Sequence, residues 1–145
     1  MLSTTLLPPN IMSNSKQSSY FTKVKEDHQA ELVEDYVEEI ADLYATYGEV
    51  RSADLAKRFG VSAAAVSKYI ARLKLQGLVE SAPYRGIFLT EQGKALATKV
   101  AERHDVVFRT LVKLGVPEAN ARADAEGIEH HCSEETVAAM KQFLS

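Results

Sequence analysis

Between Glu126 and Cys132 the chain reads EGIEHHC, which sets two carboxylates, two imidazoles and its only thiol within seven positions. Such side chains can hold a metal ion, act as an acid/base pair, or stand as solvated helix surface. Glu126, Glu129 and His130 are spaced i, i+3, i+4, which predicts one face of a helix. Two other places offer similar groups. Asp35 and Glu38 are three apart in an earlier helical stretch, and His104 follows Leu96 and Val100 on a four-residue step, on an inward seam. Singly, each has an ordinary explanation: an inward histidine is more often a satisfied core residue, and Asp-x-x-Glu is usually surface. Together they offer four carboxylates and two imidazoles from three helices. At ~5 Å and an effective dielectric of ~20, each pair of ionised carboxylates repels by roughly 3 kcal/mol. Convergence without cations would be costly, and two divalent ions would neutralise the four charges.

The elements that must position these groups follow from periodicity and punctuation. Residues 1–26 are rich in Ser, Thr, Asn, Lys and Pro without a sustained period and are expected to form a flexible tail; Met12 leaves a later start open. From about Asp27 to Tyr47, the apolar seam Leu32, Tyr36, Ile40, Leu43, Tyr44, Tyr47 predicts a helix ended by Gly48. A short helix Ser52–Arg58 stops at Gly60. Ser62 is an N-cap for a second, Ala63–Gln76, with the seam Val66, Ile70, Leu73. Two short strands, Leu78–Ser81 and Ile87–Thr90, flank a turn at Pro83–Gly86. Thr90 caps a long helix to about Leu114, Gly115 stops it, and Pro117 suits the first position of the next helix, which carries the opening cluster. Ser133 caps the last helix.

Composition narrows the class. One cysteine in 145 residues excludes an intramolecular disulfide and fits a reducing, cytoplasmic setting. No apolar run approaches the ~20 residues of a membrane span, and the N-terminus lacks the basic and apolar regions of a signal peptide. The net charge of −3 is unevenly spread: residues 1–50 carry −6, residues 51–100 carry +6 and residues 101–145 carry −3. A basic middle between acidic flanks predicts a local anion-binding surface.

That middle reads as a helix, a glycine turn, a second helix and a hairpin, the order of a winged helix-turn-helix. Leu55, Phe59, Val61, Val66, Ile70 and Leu73 form its expected core. Ala63, Ala64, Ser67, Lys68, Ala71 and Arg72 are left facing outward. The small alanines suit close approach to a groove floor, Ser62, Ser67, Lys68 and Arg72 offer donors to phosphates and base edges, and Tyr84 and Arg85 at the wing tip reach the flanking backbone. Double-stranded DNA is the expected partner. A helix-turn-helix used only for protein contact is the competing explanation.

The chain resembles the manganese-transport regulators of the diphtheria-toxin-repressor family over about residues 25–145. The blocks ELVEDYVEEI, the helix-turn-helix, PYRGIFLTEQG, ERH and DAEGIEHH come in that family's order and spacing. The resemblance implies a mainly α fold with a small β wing: a winged helix-turn-helix over residues 27–97 and a helical metal-binding and dimerisation domain over 98–145. It implies no SH3-like third domain. It implies a homodimeric repressor of manganese-uptake genes, binding a palindromic operator when metal-loaded, with no membrane or small-molecule substrate. Matching motif positions, it implies a two-Mn²⁺ site of Asp35, Glu38, His104, Glu126, Glu129 and His130; Cys132 is left to packing, His131 to a supporting role and His28 to the surface. Oxygen at Glu126, where the iron-responsive branch has Cys or Met, independently favours hard Mn²⁺ over thiolate-preferring ions, although Fe²⁺ and other divalent ions can use such ligands.

Three alternatives have distinct signatures. An iron-responsive repressor of the same family would prefer Fe²⁺. A di-iron carboxylate enzyme uses an E-x-x-H from each of two helices, a pair this chain lacks. A metal-blind winged-helix repressor would bind its operator equally with and without chelator.

Overall fold

The computed structural model describes residues 14–145. The expected tail over 1–26 is helical from Asn14 onward, because α1 runs from Asn14 to Tyr47; residues 1–13 lie outside the described residues. Residues 14–26 hold neither Gly nor Pro, so a helix nucleated by the buried turns after Glu31 can propagate back through them, one hydrogen bond per residue. α1 is anchored by Tyr36, Val37, Ile40 and Leu43, all buried. Leu32, Tyr44 and Tyr47 of the expected seam are instead exposed, so the buried stripe is narrower than the apolar pattern suggested.

α2 (Ser52–Phe59) and α3 (Ala63–Leu75) form the helix-turn-helix. Gly60 stands between them at φ +65°, in the left-handed region where a side chain is strained, and the Ser62 hydroxyl accepts the Ala65 N–H at 3.1 Å. Leu55, Val66, Ile70 and Leu73 are buried as expected. Phe59 is half-buried under Tyr36, and Val61 is exposed beyond the turn. Strands β1 (Val79–Ala82) and β2 (Gly86–Leu89) pair antiparallel with Val79 opposite Leu89. Ile87 N–H donates to Val50 O at 2.8 Å, tying the wing to the link between α1 and α2.

Thr90 joins the halves. Its hydroxyl accepts the Gly93 N–H at 3.1 Å, capping α4 (Glu91–Lys113), and donates to Gly77 O at 2.6 Å. α4 runs unbroken through the division expected at residues 97–98. Gly115 follows at φ +102°. Pro117 is the N-cap of α5 (Glu118–Ile128) rather than its first helical residue. A 3-10 turn, Glu129–His131, leads to α6 (Glu134–Leu144), capped by Ser133. Ala121 and Ala125 of α5, Val137 of α6, and Val100, Val106 and Val107 of α4 are all buried, and α4 lies against both α5 and α6. The chain is mainly helical with one small wing.

Candidate metal centre

Four elements bring the six expected ligands together. Asp35 and Glu38 come from α1, His104 from α4, and Glu126 from the last turns of α5. Glu129 and His130 do not continue the α-helix. They sit in the 3-10 turn, so the single helical face expected for Glu126, Glu129 and His130 is corrected to a helix end plus a tightened turn. Within that turn Glu129 and His130 are buried, at 0% and 6% exposure, while Glu126 on the helix end stays exposed.

Glu129 is the centre. His104 Nδ1 lies 3.1 Å from Glu129 Oε2 and 3.6 Å from Glu126 Oε1, while His130 Nε2 lies 3.3 Å from Glu129 Oε1 and 3.1 Å from Asp35 Oδ1. Ligand atoms of His104, Glu126 and Glu129 fall within 4.8 Å of one another, as do those of Glu38, Glu129 and His130. Two three-residue sets thus share one carboxylate. Both Glu129 oxygens and His104 Nδ1 are buried without a hydrogen-bond partner. A buried carboxylate left unsatisfied is expensive. A divalent cation between the sets suits these atoms: hard carboxylate oxygens and imidazole nitrogens, with a positive charge that offsets the carboxylates' repulsion.

Sequence reasoning missed the residues that orient the cluster. Glu34 accepts from His130 Nδ1 at 2.8 Å and is paired with Arg103, which points His130 Nε2 at Asp35 and Glu129. The Arg103 guanidinium and His130 hold Glu34 below the usual carboxylate range against the opposing effect of its burial. Their adjacency to candidate ligands, Glu34 beside Asp35 and Arg103 beside His104, was the only available signal. Cys132 is half-buried, with its thiol donating to Ile128 O, consistent with packing.

The cluster's charges are strained. Burial and the neighbouring Glu38 push Glu129 up to about 8. Burial and Glu126 push Glu38 up to about 7. Burial opposes the charge on His130, but its hydrogen bonds to Asp35 and Glu34 raise it to about 10. Each group keeps a proton in the folded metal-free chain at a pH where the unfolded chain has released it. The folded state therefore binds more protons, and stability falls as pH rises. Between pH ~5.5 and ~8.5 the melting temperature in chelator should drop on the order of 5–10 °C. Metal affinity should rise over the same range, since ligands must shed those protons. Calorimetry across pH checks both signs; a flat melting temperature in chelator would mean the carboxylates are hydrated.

On the DNA side, Ser62, Ala63, Ala64, Ser67, Lys68 and Arg72 are all exposed along one side of the helix-turn-helix, and Tyr84 and Arg85 are exposed at the wing. Ser62 also serves as the α3 cap, so its hydroxyl keeps its own hydrogen and one lone pair for a partner. Arg72 lies over the Tyr69 ring at 5.5 Å.

Comparison with known proteins decides the family. Residues 29–87 match the iron dependent repressor N-terminal DNA binding domain, and residues 90–145 match the iron dependent repressor metal binding and dimerisation domain. The chain belongs to the iron-dependent repressor family. It is 50% identical over 123 residues to the transcriptional regulator MntR of Escherichia coli O6:H1, covering 85% of this chain and 79% of that protein. Among solved structures it resembles the manganese regulator SloR, at 29% identity and TM-score 0.66, over 77% of this chain and 53% of that one. It is also similar to a manganese-dependent transcriptional repressor in complex with manganese, at 30% identity and TM-score 0.66, over 78% of this chain and 52% of that one. The chain therefore spans about half the length of those solved structures. As an iron-dependent repressor family member it is a metal-responsive DNA-binding transcriptional regulator with a dimerisation domain, and it is not an enzyme.

Proposed function

We propose that the chain is a manganese-responsive repressor of manganese-uptake genes, acting as a symmetric dimer on a palindromic operator, in the cytoplasm. The observation that carries the choice of ion is Glu126: it completes an oxygen-rich set with Glu129 and His104, with no thiol or thioether among them, and hard oxygen ligands suit Mn²⁺. The names of the relatives, MntR and SloR, point the same way. Asp35, Glu38, His104, Glu126, Glu129 and His130 would hold two ions per subunit, with Glu129 common to both sets. The bound ions supply positive charge to a cluster that otherwise keeps its protons.

The chain's own residues carry the signal to the DNA reader. Tyr36, next to Asp35, stacks on Phe59 at 4.5 Å and meets Tyr69 of α3 at 4.5 Å between ring centres. Arg58 of α2 reaches back to Glu39 at 2.8 Å and Asp42 at 3.6 Å on α1. Any shift of α1 toward the 3-10 turn thus moves both helices of the reader. Exposed Val112, Leu114 and Phe143 at the far ends of α4 and α6 supply apolar surface suited to a partner subunit. Two recognition helices related by a two-fold axis then match half-sites roughly 10 bp apart or a multiple of that.

Operator binding by fluorescence anisotropy with Mn²⁺, Fe²⁺, Zn²⁺ and chelator tests this reading. Tight binding with Mn²⁺ and loss in chelator is expected; a stronger response to Fe²⁺ would assign the iron branch, and indifference to chelator would remove the metal switch. Lys68→Ala should weaken the Mn²⁺-loaded complex and reduce the slope of log affinity against log salt by about 1. An unchanged slope would take Lys68 off the phosphate backbone.

A further inference from the structure

One turn before Asp35, α1 carries a group that the six-ligand centre does not use. His28 and Glu31 are three residues apart on α1, and both meet His131 of the 3-10 turn. His131 Nε2 lies 3.1 Å from Glu31 Oε2. The His28 and His131 rings stand 5.7 Å apart, centre to centre, edge to face at 66°. All three side chains reach solvent at least in part. Glu31 also lies within ligand distance of Asp35 and His130, so the group borders the main centre.

We propose that His28, Glu31 and His131 form an accessory site for a histidine-preferring divalent ion such as Zn²⁺, separate from the oxygen-rich centre. In a tetrahedral site with metal–ligand distances of ~2.0–2.2 Å, the N···O edge is roughly 3.3 Å and two imidazole centres stand roughly 5–5.5 Å apart. The observed 3.1 Å is already close to that edge, and the 5.7 Å ring separation lies just beyond that range. The ligand atoms of the three do not all fall within 4.8 Å of one another, so the exposed His28 ring turns toward Glu31 and His131 when an ion binds. Two imidazoles and one carboxylate leave a fourth position open to water, as in three-ligand zinc sites. Nitrogen-rich ligands favour Zn²⁺ over Mn²⁺ by the general affinity order of divalent ions, so this site selects a different metal class from the Glu129 centre. An ion there fastens α1 to the 3-10 turn one helical turn from Asp35. It thereby restrains the same two elements that the main centre joins.

The test uses the full chain saturated with Mn²⁺ and titrated with Zn²⁺ against a chromophoric chelator. Wild type should take up one more Zn²⁺ per protomer than His28→Ala, which should bind that ion at least ~10-fold more weakly. His28→Asp, which keeps a ligand, should restore it to within a few-fold. Mn²⁺ stoichiometry by electron paramagnetic resonance and the helical circular dichroism signal should be equal in wild type and His28→Ala. Any Zn²⁺ entering the Glu129 centre would do so in both proteins and cancel in the difference. Equal Zn²⁺ uptake by wild type and His28→Ala overturns the proposal. So does a joint loss of Zn²⁺ and Mn²⁺ binding, which would make His28 a structural residue of α1. Failure of the manganese reading alone would appear as absent Mn²⁺ binding in wild type, with the His28-dependent Zn²⁺ unaffected.

Discussion

Glu129→Gln is expected to abolish the metal response while making the metal-free protein more stable. The side chain is fully buried, both its oxygens lack hydrogen-bond partners, and it touches both ligand sets through His104 and His130. An amide cannot offer the negative charge the cluster needs, so Mn²⁺ affinity should fall by at least ~100-fold, more than is typical for the loss of an outer partner. The same change removes a group whose burial and proximity to Glu38 push it up to about 8. Metal-free stability at pH 8 should therefore rise by about 1–3 kcal/mol, because an amide never ionises and the folding cost tied to the raised Glu129 carboxyl is gone. The fall in melting temperature with pH should also flatten, because one of the proton-retaining groups is gone. Mn²⁺ titration and thermal melts in chelator read the two effects separately. Lost binding together with lost stability would instead make Glu129 a structural residue.

Gly93→Ala should be the most damaging substitution far from the metal centre. Gly93 lies in the first turn of α4, and a Cβ built there would stand 2.1 Å from the Leu78 carbonyl oxygen and 3.2 Å from Leu89 Cδ2. The Leu78 carbonyl also accepts the Thr90 N–H at 3.0 Å, so it has little freedom to move aside. The loss should be about 3 kcal/mol or more, with a fall in melting temperature on the order of 10 °C. Because α4 carries His104, forcing its start away from the wing also shifts one wall of the metal centre. Mn²⁺ affinity should drop along with stability. A variant that melts like wild type would show that the wing and α4 are not packed as closely as these distances require.

Locally encoded features were legible before the fold. Ser62 and Thr90 cap the helices that follow them, and Gly60 and Gly115 hold left-handed turns, because cap and turn preferences depend on neighbours within a few residues. The start of α1 was not legible. Polar residues 14–26 carry no period of their own, and their helicity depends on the buried turns that follow them. The break from α5 into the 3-10 turn was also missed. A spacing of i, i+3, i+4 reads alike for a continuing helix and for one that tightens at its end.

The sequence by itself determined the ligand types, the basic charge of residues 51–100, and the order of helix, turn, helix and hairpin, since composition and periodicity are properties of the chain alone. Only the tertiary structure decided that Glu129 is the shared, fully buried carboxylate. It alone set Glu34 between His130 and Arg103, across 96 and 69 residues of chain respectively, and His28 against His131. The physical reason is separation. Burial and cross-chain hydrogen bonds arise only when α1, α4 and the 3-10 turn pack together, and no local pattern records which neighbour a side chain will then meet.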